Sequence, residues 1–118
     1  FITEMDVRMM DKYWNKLDSA ATVLDPNIPR AITLFARSGN SSVDFYEPTK
    51  EWEQLIYDPD PVAMAHAGYD YLYYDREYWK TLTPQEQTLL TSSCVVAVNE
   101  ESEWTGDYRV LLDISGCQ

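Results

Sequence analysis

Tyr69-Asp70-Tyr71-Leu72-Tyr73-Tyr74, closed by Asp75, is the most strand-like run in the chain. Aromatic side chains of this kind suit a pleated, half-buried surface. Gly68, just before the run, sits where a helix C-cap belongs. Upstream, Asp60 caps a short helix with Pro61 in its first position. Thr49 caps another helix over Lys50 to Tyr57, with Trp52, Leu55 and Ile56 inward, and Asp58-Pro59 ends it. Downstream, Arg76 to Leu82 reads as a helical turn carrying Tyr78 and Trp79. Thr83-Pro84-Gln85-Glu86 is a capping box that opens a helix to about Thr91. A strand with helices on both sides is the unit of an α/β layer.

The rest of the chain repeats that unit. Residues 4–17 read as an amphipathic helix, with Thr3 and Asp6 as its capping box and Met5, Met9, Tyr13 and Leu17 on one stripe. Ala21 to Asp25 is a short strand stopped by Pro26. Ala31 to Arg37 fits a helix face through Ile32, Phe35 and Ala36, although its residues also suit a strand; helix is favoured. Ser38 to Ser42 is a loop, and Val43 to Tyr46 a short strand. Cys94 to Val98 and Tyr108 to Ile114 are two strands that fold back on each other. The order α, β, α, β, α, β, α, β, β predicts a mostly parallel sheet of about five strands flanked by helices. An antiparallel C-terminal hairpin is expected at its edge.

The 118 residues, 45% hydrophobic and 14% aromatic, suffice for one domain with a real core. Within it, residues 1–17 form a leading helix and 18–118 an α/β body. Nine basic against 20 acidic residues leave a net charge of −11. That charge excludes nucleic acid and anionic lipid as partners, since both are held by Lys and Arg. In the leading helix Glu4, Asp6 and Asp11 balance Arg8, Lys12 and Lys16, so the whole surplus lies in the body. The chain opens at Phe1 with no basic leader and no run of about 20 apolar residues. It is expected to be an excised piece, a mature secreted protein or one domain of a larger one.

The two cysteines close the C-terminal hairpin. Cys94 opens the first strand and Cys117 follows the second, so folding back at the polar stretch Asn99 to Asp107 brings them together. A bridge enclosing about 22 residues contributes roughly 3 kcal/mol and belongs outside the cytoplasm. The alternative is two unpaired thiols. A zinc site is not expected, because Cys94, Cys117 and the single His66 fall short of four ligands.

Ligands of open α/β sheets gather beyond the C-terminal ends of the strands. Asp25 and Asp75 lie there, with Arg30, Arg37, Tyr74 and Trp79 as neighbours. Such a set can hold a polar ligand, the carboxylates accepting hydroxyl hydrogen bonds and an aromatic face stacking on a ring. The plainer reading is that both aspartates cap the turns after them. His66 reads as a helix-end residue, favoured there by the helix dipole. Glu100-Glu101-Ser102-Glu103 with Asp107 reads as a solvated turn rather than a calcium loop. Trp79 and Trp104 are candidates for exposed aromatics. No glycine-rich phosphate loop and no Gly-x-Ser-x-Gly elbow occurs, and neither cofactor nor metal is expected.

Three segments carry a resemblance. They are Met5-Asp6-Val7-Arg8-Met9 running to Tyr13-Trp14-Asn15-Lys16-Leu17; Ala67-Gly68-Tyr69 through Asp75 with Tyr78-Trp79; and Cys94-Val95 with Asp107-Tyr108-Arg109 and Leu111 through Cys117. Together they resemble the soluble C-terminal domain of large polytopic membrane proteins of Chloroflexi-type filamentous green bacteria. Those proteins are similar to membrane glycosyltransferases that use lipid-linked sugars. The resemblance implies an extracytoplasmic domain tethered through the transmembrane part of its parent chain. It also implies the cysteine pair. It carries over no catalytic residue, because such enzymes keep their catalytic carboxylates in loops of the membrane part. The expected function is thus a non-catalytic domain that assists substrate or partner binding, with a sugar or lipid-linked sugar as ligand. A secreted carbohydrate-binding module and a small hydrolase using Asp25 and Asp75 are the alternatives.

Overall fold

The computed structural model describes residues 2–17, 21–37, 50–102 and 105–117. The expected loop at 38–42, the strand at 43–46 and Trp104 lie outside them.

Local signals set most element ends. Helix α1 (Glu4–Lys12) runs into a 3-10 turn at Trp14–Lys16. It starts where the Thr3 backbone N–H donates to Asp6 Oδ2 at 2.9 Å. Strand β1 is only Val23–Leu24. The ambiguous Ala31–Arg37 stretch is helical, within α2 (Ile28–Arg37). Asn27 opens α2, its Oδ1 accepting the Arg30 backbone N–H at 3.1 Å. Helix α3 spans Lys50–Tyr57. Helix α4 (Pro61–His66) is capped by Asp60, which accepts from the Val62 N–H at 2.9 Å. It ends in a Schellman motif: Tyr69 N–H donates to Met64 O and Gly68 N–H to Ala65 O, with Gly68 at φ 104°. Strand β2 (Tyr71–Asp75) leads directly into α5 (Arg76–Thr81). The box at Thr83 and Glu86 opens α6 (Pro84–Leu90), with the Thr83 N–H on Glu86 Oε1 at 2.8 Å. Strands β3 (Val96–Glu101) and β4 (Tyr108–Asp113) form the hairpin.

Among the described residues the sheet has four strands, in the order β1-β2-β4-β3. Only β1 and β2 pair in parallel, through Val23 with Tyr71 and Leu24 with Leu72. Strand β4 is antiparallel to both β2 and β3. The sheet is therefore mixed, which overturns the expected mostly parallel sheet of about five strands. The physical reason lies in β4. Since β4 runs against both neighbours, β1, β2 and β3 share one direction, as alternation with helices leads one to expect. The hairpin strand nevertheless enters the gap between β2 and β3 instead of adding to the outside. Its centre, Val110-Leu111-Leu112, is buried throughout, which suits a strand covered on both faces. Strand β3, with Val96 61% exposed, takes the edge.

Residues alternate between two cores. Leu72 and Tyr74 of β2 and Val110 and Leu112 of β4 join Leu55, Ile56, Met64 and Leu90 from α3, α4 and α6. On the opposite face Tyr73 and Leu111 join Met9, Trp14 and Leu34 from α1, the 3-10 turn and α2. The molecule is a three-layer α/β/α arrangement, and the leading helix packs directly on the sheet. Cys94 and Cys117 form a disulfide with Cα atoms 5.0 Å apart, closing the open end of the hairpin. Gly116 packs close against it: a Cβ there would meet Cys94 O at 3.3 Å. No helix among the described residues is long and apolar enough to cross a membrane.

Candidate ligand-binding groove

Strand β1 ends at Leu24 and β2 at Asp75, and the polar residues gather beyond these ends. Asp25 follows β1 and turns the chain toward α2, its Oδ1 accepting the Asn27 N–H at 2.9 Å. Asp75 ends β2 and caps α5, its Oδ1 accepting the Tyr78 N–H at 2.7 Å. Both aspartates are thus caps, and they are also brought together. Arg30 lies between them. Its Nε and Nη2 donate to the two Asp25 oxygens at 2.8 and 2.6 Å, and its Nη1 donates to Asp75 Oδ2 at 2.6 Å. The guanidinium also sits 4.9 Å from the centre of the Tyr73 ring.

This triad is almost dry. Side-chain exposure is 1% for Asp25, 3% for Arg30 and 22% for Asp75. Burial pushes the Asp25 carboxyl up to about 6, against the pull of Arg30 and the Asn27 N–H. Burial alone would lower Arg30, yet Asp25 and Asp75 together hold it above its usual range. The two directions agree with the stoichiometry: one guanidinium serves two carboxylates.

A second network braces the first from the α1 side. Arg109 Nε donates to Asp6 Oδ1 at 2.8 Å and its Nη1 to Asp107 Oδ1 at 2.9 Å. The Tyr73 hydroxyl donates to Asp6 Oδ1 at 2.5 Å. Burial would raise Asp6, but the hydrogen bonds from Arg109 and Tyr73 outweigh it and hold the carboxyl below its ordinary value. Tyr73 joins the two networks, with its ring against Arg30 and its hydroxyl on Asp6.

Above the triad opens a groove of about 640 Å³ between α3 and α5. Pro26, Asn27, Arg30 and Asp75 form its floor, Trp52, Tyr57 and Tyr78 its aromatic walls, and Glu53 and Glu77 its acidic rim. The Tyr78 hydroxyl donates to Ile56 O at 2.8 Å and fixes the spacing of the two helices. Burial, with smaller contributions from Glu86 and Tyr57, pushes this phenol up to about 12, so it stays a neutral donor. Tyr57 is 81% exposed and presents an open ring face.

Of the residues singled out in the sequence, Asp25, Arg30 and Asp75 meet. Arg30 and Asp75 line the groove, while Asp25 is sealed beneath it. Tyr74 is buried in the core and stacks on Tyr78 with centroids 5.2 Å apart. Its hydroxyl finds no hydrogen-bond partner among the described residues. Trp79 is half-buried and packs on Tyr74, with centroids 5.9 Å apart. Arg37 ends α2, and its side chain lies outside the described residues. Sequence reasoning missed Tyr57, Glu53, Glu77 and Tyr78 as groove residues. These residues lie on two helices whose meeting no local signal announces, while Tyr74, fully buried behind the walls Trp52 and Tyr78, has no surface to offer a ligand. Exposed His66, on α4, does not line the groove. Asp107 spends itself on Arg109, and no group of three or more His, Cys, Asp or Glu suited to a metal occurs among the described residues.

The groove can stack a ring, accept hydrogen bonds at Asp75, Glu53 and Glu77, and exclude water at its floor. It is poorly arranged for paired-carboxylate hydrolysis, since both Asp25 oxygens are committed to Arg30 and turned away from solvent. Comparison with family models, with curated proteins and with solved structures finds no match. The functional reading therefore rests on the residues themselves.

Proposed function

We propose that this chain is a non-catalytic binding domain that holds a sugar, free or lipid-linked, in the groove between α3 and α5. The observation that carries this reading is the pairing of aromatic walls, the exposed Tyr57 with half-buried Trp52 and Tyr78, with carboxylates at Asp75, Glu53 and Glu77. Sugar rings present apolar faces to aromatic side chains and hydroxyl groups to carboxylates, and this groove offers both. The Cys94–Cys117 bridge supports an oxidising, extracytoplasmic compartment. We place the domain on a membrane-anchored, glycosyltransferase-like parent, where it assists substrate or partner binding. A free secreted module would use the same groove without a tether, and fractionation of the native protein separates the two. Binding is tested by titrating saccharides while following protein NMR shifts. Shifts confined to α3 and α5, abolished by Tyr57→Ala, support the reading. Saturable shifts elsewhere, or none with any saccharide, overturn it.

A further inference from the structure

The charges around the groove narrow the class of sugar, an inference that rests on the sugar-binding reading above. Among the described lining residues Arg30 is the one cation, and it faces Glu53, Asp75 and Glu77. Its three donating nitrogens are already spent on Asp25 and Asp75. With three of its five N–H donors engaged, its single charge faced by two carboxylates and its side chain only 3% exposed, Arg30 offers an incoming anion little at the floor, and two acidic side chains stand at the rim. Glu77 does contact Arg76 at 3.1 Å, but both side chains are in solvent, 31% and 77% exposed, so the pair is weak and Glu77 can exchange Arg76 for a ligand ammonium. Meanwhile the exposed ring of Tyr57 and the face of Tyr78 offer quadrupoles that attract a cation.

We propose that the groove selects a saccharide bearing a protonated amine, a hexosamine unit with a free amino group, over N-acetylated or carboxylated counterparts. The aromatic walls take the apolar face of the ring, and the ammonium lies toward Glu53 and Glu77. Each of two exposed carboxylates is worth about a two- to threefold gain in affinity, so the amine is preferred by about fivefold at low salt.

The test is calorimetric titration at pH 6 and low salt with three probes: a glucosamine tetramer, an N-acetylglucosamine tetramer and an oligogalacturonate. The expected order is glucosamine about fivefold tighter than its N-acetylated form, with no binding of the oligogalacturonate. Glu53→Gln/Glu77→Gln brings the first two to parity, with its thermal midpoint unchanged because both side chains are exposed. Glu4→Gln, on α1 with the carboxylate 91% exposed and outside the groove, leaves the preference intact. Equal or tighter binding of the N-acetylated tetramer overturns the inference while leaving the sugar reading standing. Equal erosion by Glu4→Gln overturns it too, since the preference would then come from the net charge of −11. Binding of none of the three overturns both.

Discussion

Arg30→Met puts the buried triad to its severest test. The substitution keeps most of the side-chain volume and removes three charge-assisted hydrogen bonds of 2.6–2.8 Å. Asp75 retains the Tyr78 N–H and partial solvent contact, but Asp25 keeps only the Asn27 N–H in a site with 1% side-chain exposure. Breaking a buried ion pair from one side typically costs about 3–5 kcal/mol. Against a global stability of about 5–15 kcal/mol, that is a large fraction. For a domain of this length it lowers Tm by roughly 10–25 °C. The effect has a pH signature. The Asp25 carboxyl already sits at about 6 when folded, above its ordinary 3.8. A raised carboxyl takes up its proton first in the folded state, so its contribution is full below about pH 4 and is lost as pH rises through about 6. Without Arg30 the carboxyl rises further, so the deficit is greatest at pH 8 and shrinks toward pH 5. Asp25→Asn in the Arg30→Met background removes the stranded charge and restores about 1–3 kcal/mol at pH 8. Urea unfolding followed by tryptophan fluorescence at both pH values reads all of this. A loss below about 1 kcal/mol at pH 8, or no relief from Asp25→Asn, would refute the view that Arg30 balances a dry Asp25.

Tyr73→Phe leaves the ring under Arg30 but takes one of the donors from Asp6, with an expected cost of about 1–3 kcal/mol by urea unfolding. Because the Asp6 carboxyl is held below its ordinary value, its contribution is present above about pH 4 and lost as pH falls, the opposite sign to Asp25. The variant should accordingly show a weaker loss of stability between about pH 4 and pH 2 than the parent. Cys94→Ser/Cys117→Ser is expected to lose roughly 3 kcal/mol, and thiol alkylation of the parent without reductant should label nothing. Tyr57→Ala, at a side chain 81% exposed, should move stability by no more than about 0.5 kcal/mol while abolishing saccharide-induced NMR shifts.

What the sequence made legible was what neighbours in the chain decide. The Thr83–Glu86 box, the Asp60-Pro61 start and Gly68 at the end of α4 are local chemistry, and each appears where its residues place it. Asp25 and Asp75 were legible as strand-end aspartates for the same reason. Adjacency in the sheet was not local. Strand β4 could sit outside β3 or between β2 and β3 with the same hairpin turn, and only the burial of Val110, Leu111 and Leu112 on two faces chooses the second. The groove walls were hidden likewise. Tyr57 is exposed and Tyr78 faces the groove because α3 and α5 come together through the bond from Tyr78 to Ile56 O, a contact across 22 residues.

The leading helix shows most clearly how composition misleads about organisation. Its neutrality sets it apart from a body that carries the surplus of −11. In the fold, however, its Asp6 is one of the acids the body needs. Asp6 engages both Arg109 on β4 and Tyr73 on β2, and Tyr73 in turn lies under Arg30 at the floor of the groove. Two of the nine basic residues, Arg30 and Arg109, are thereby spent beneath the surface on Asp25, Asp75, Asp6 and Asp107. Each arginine holds two carboxylates, so neither has a charge to spare for a ligand. The buried chain from Asp6 to Asp25 thus does two things at once: it fastens α1 to the sheet, and it ties up the one cation among the described residues that line the groove above.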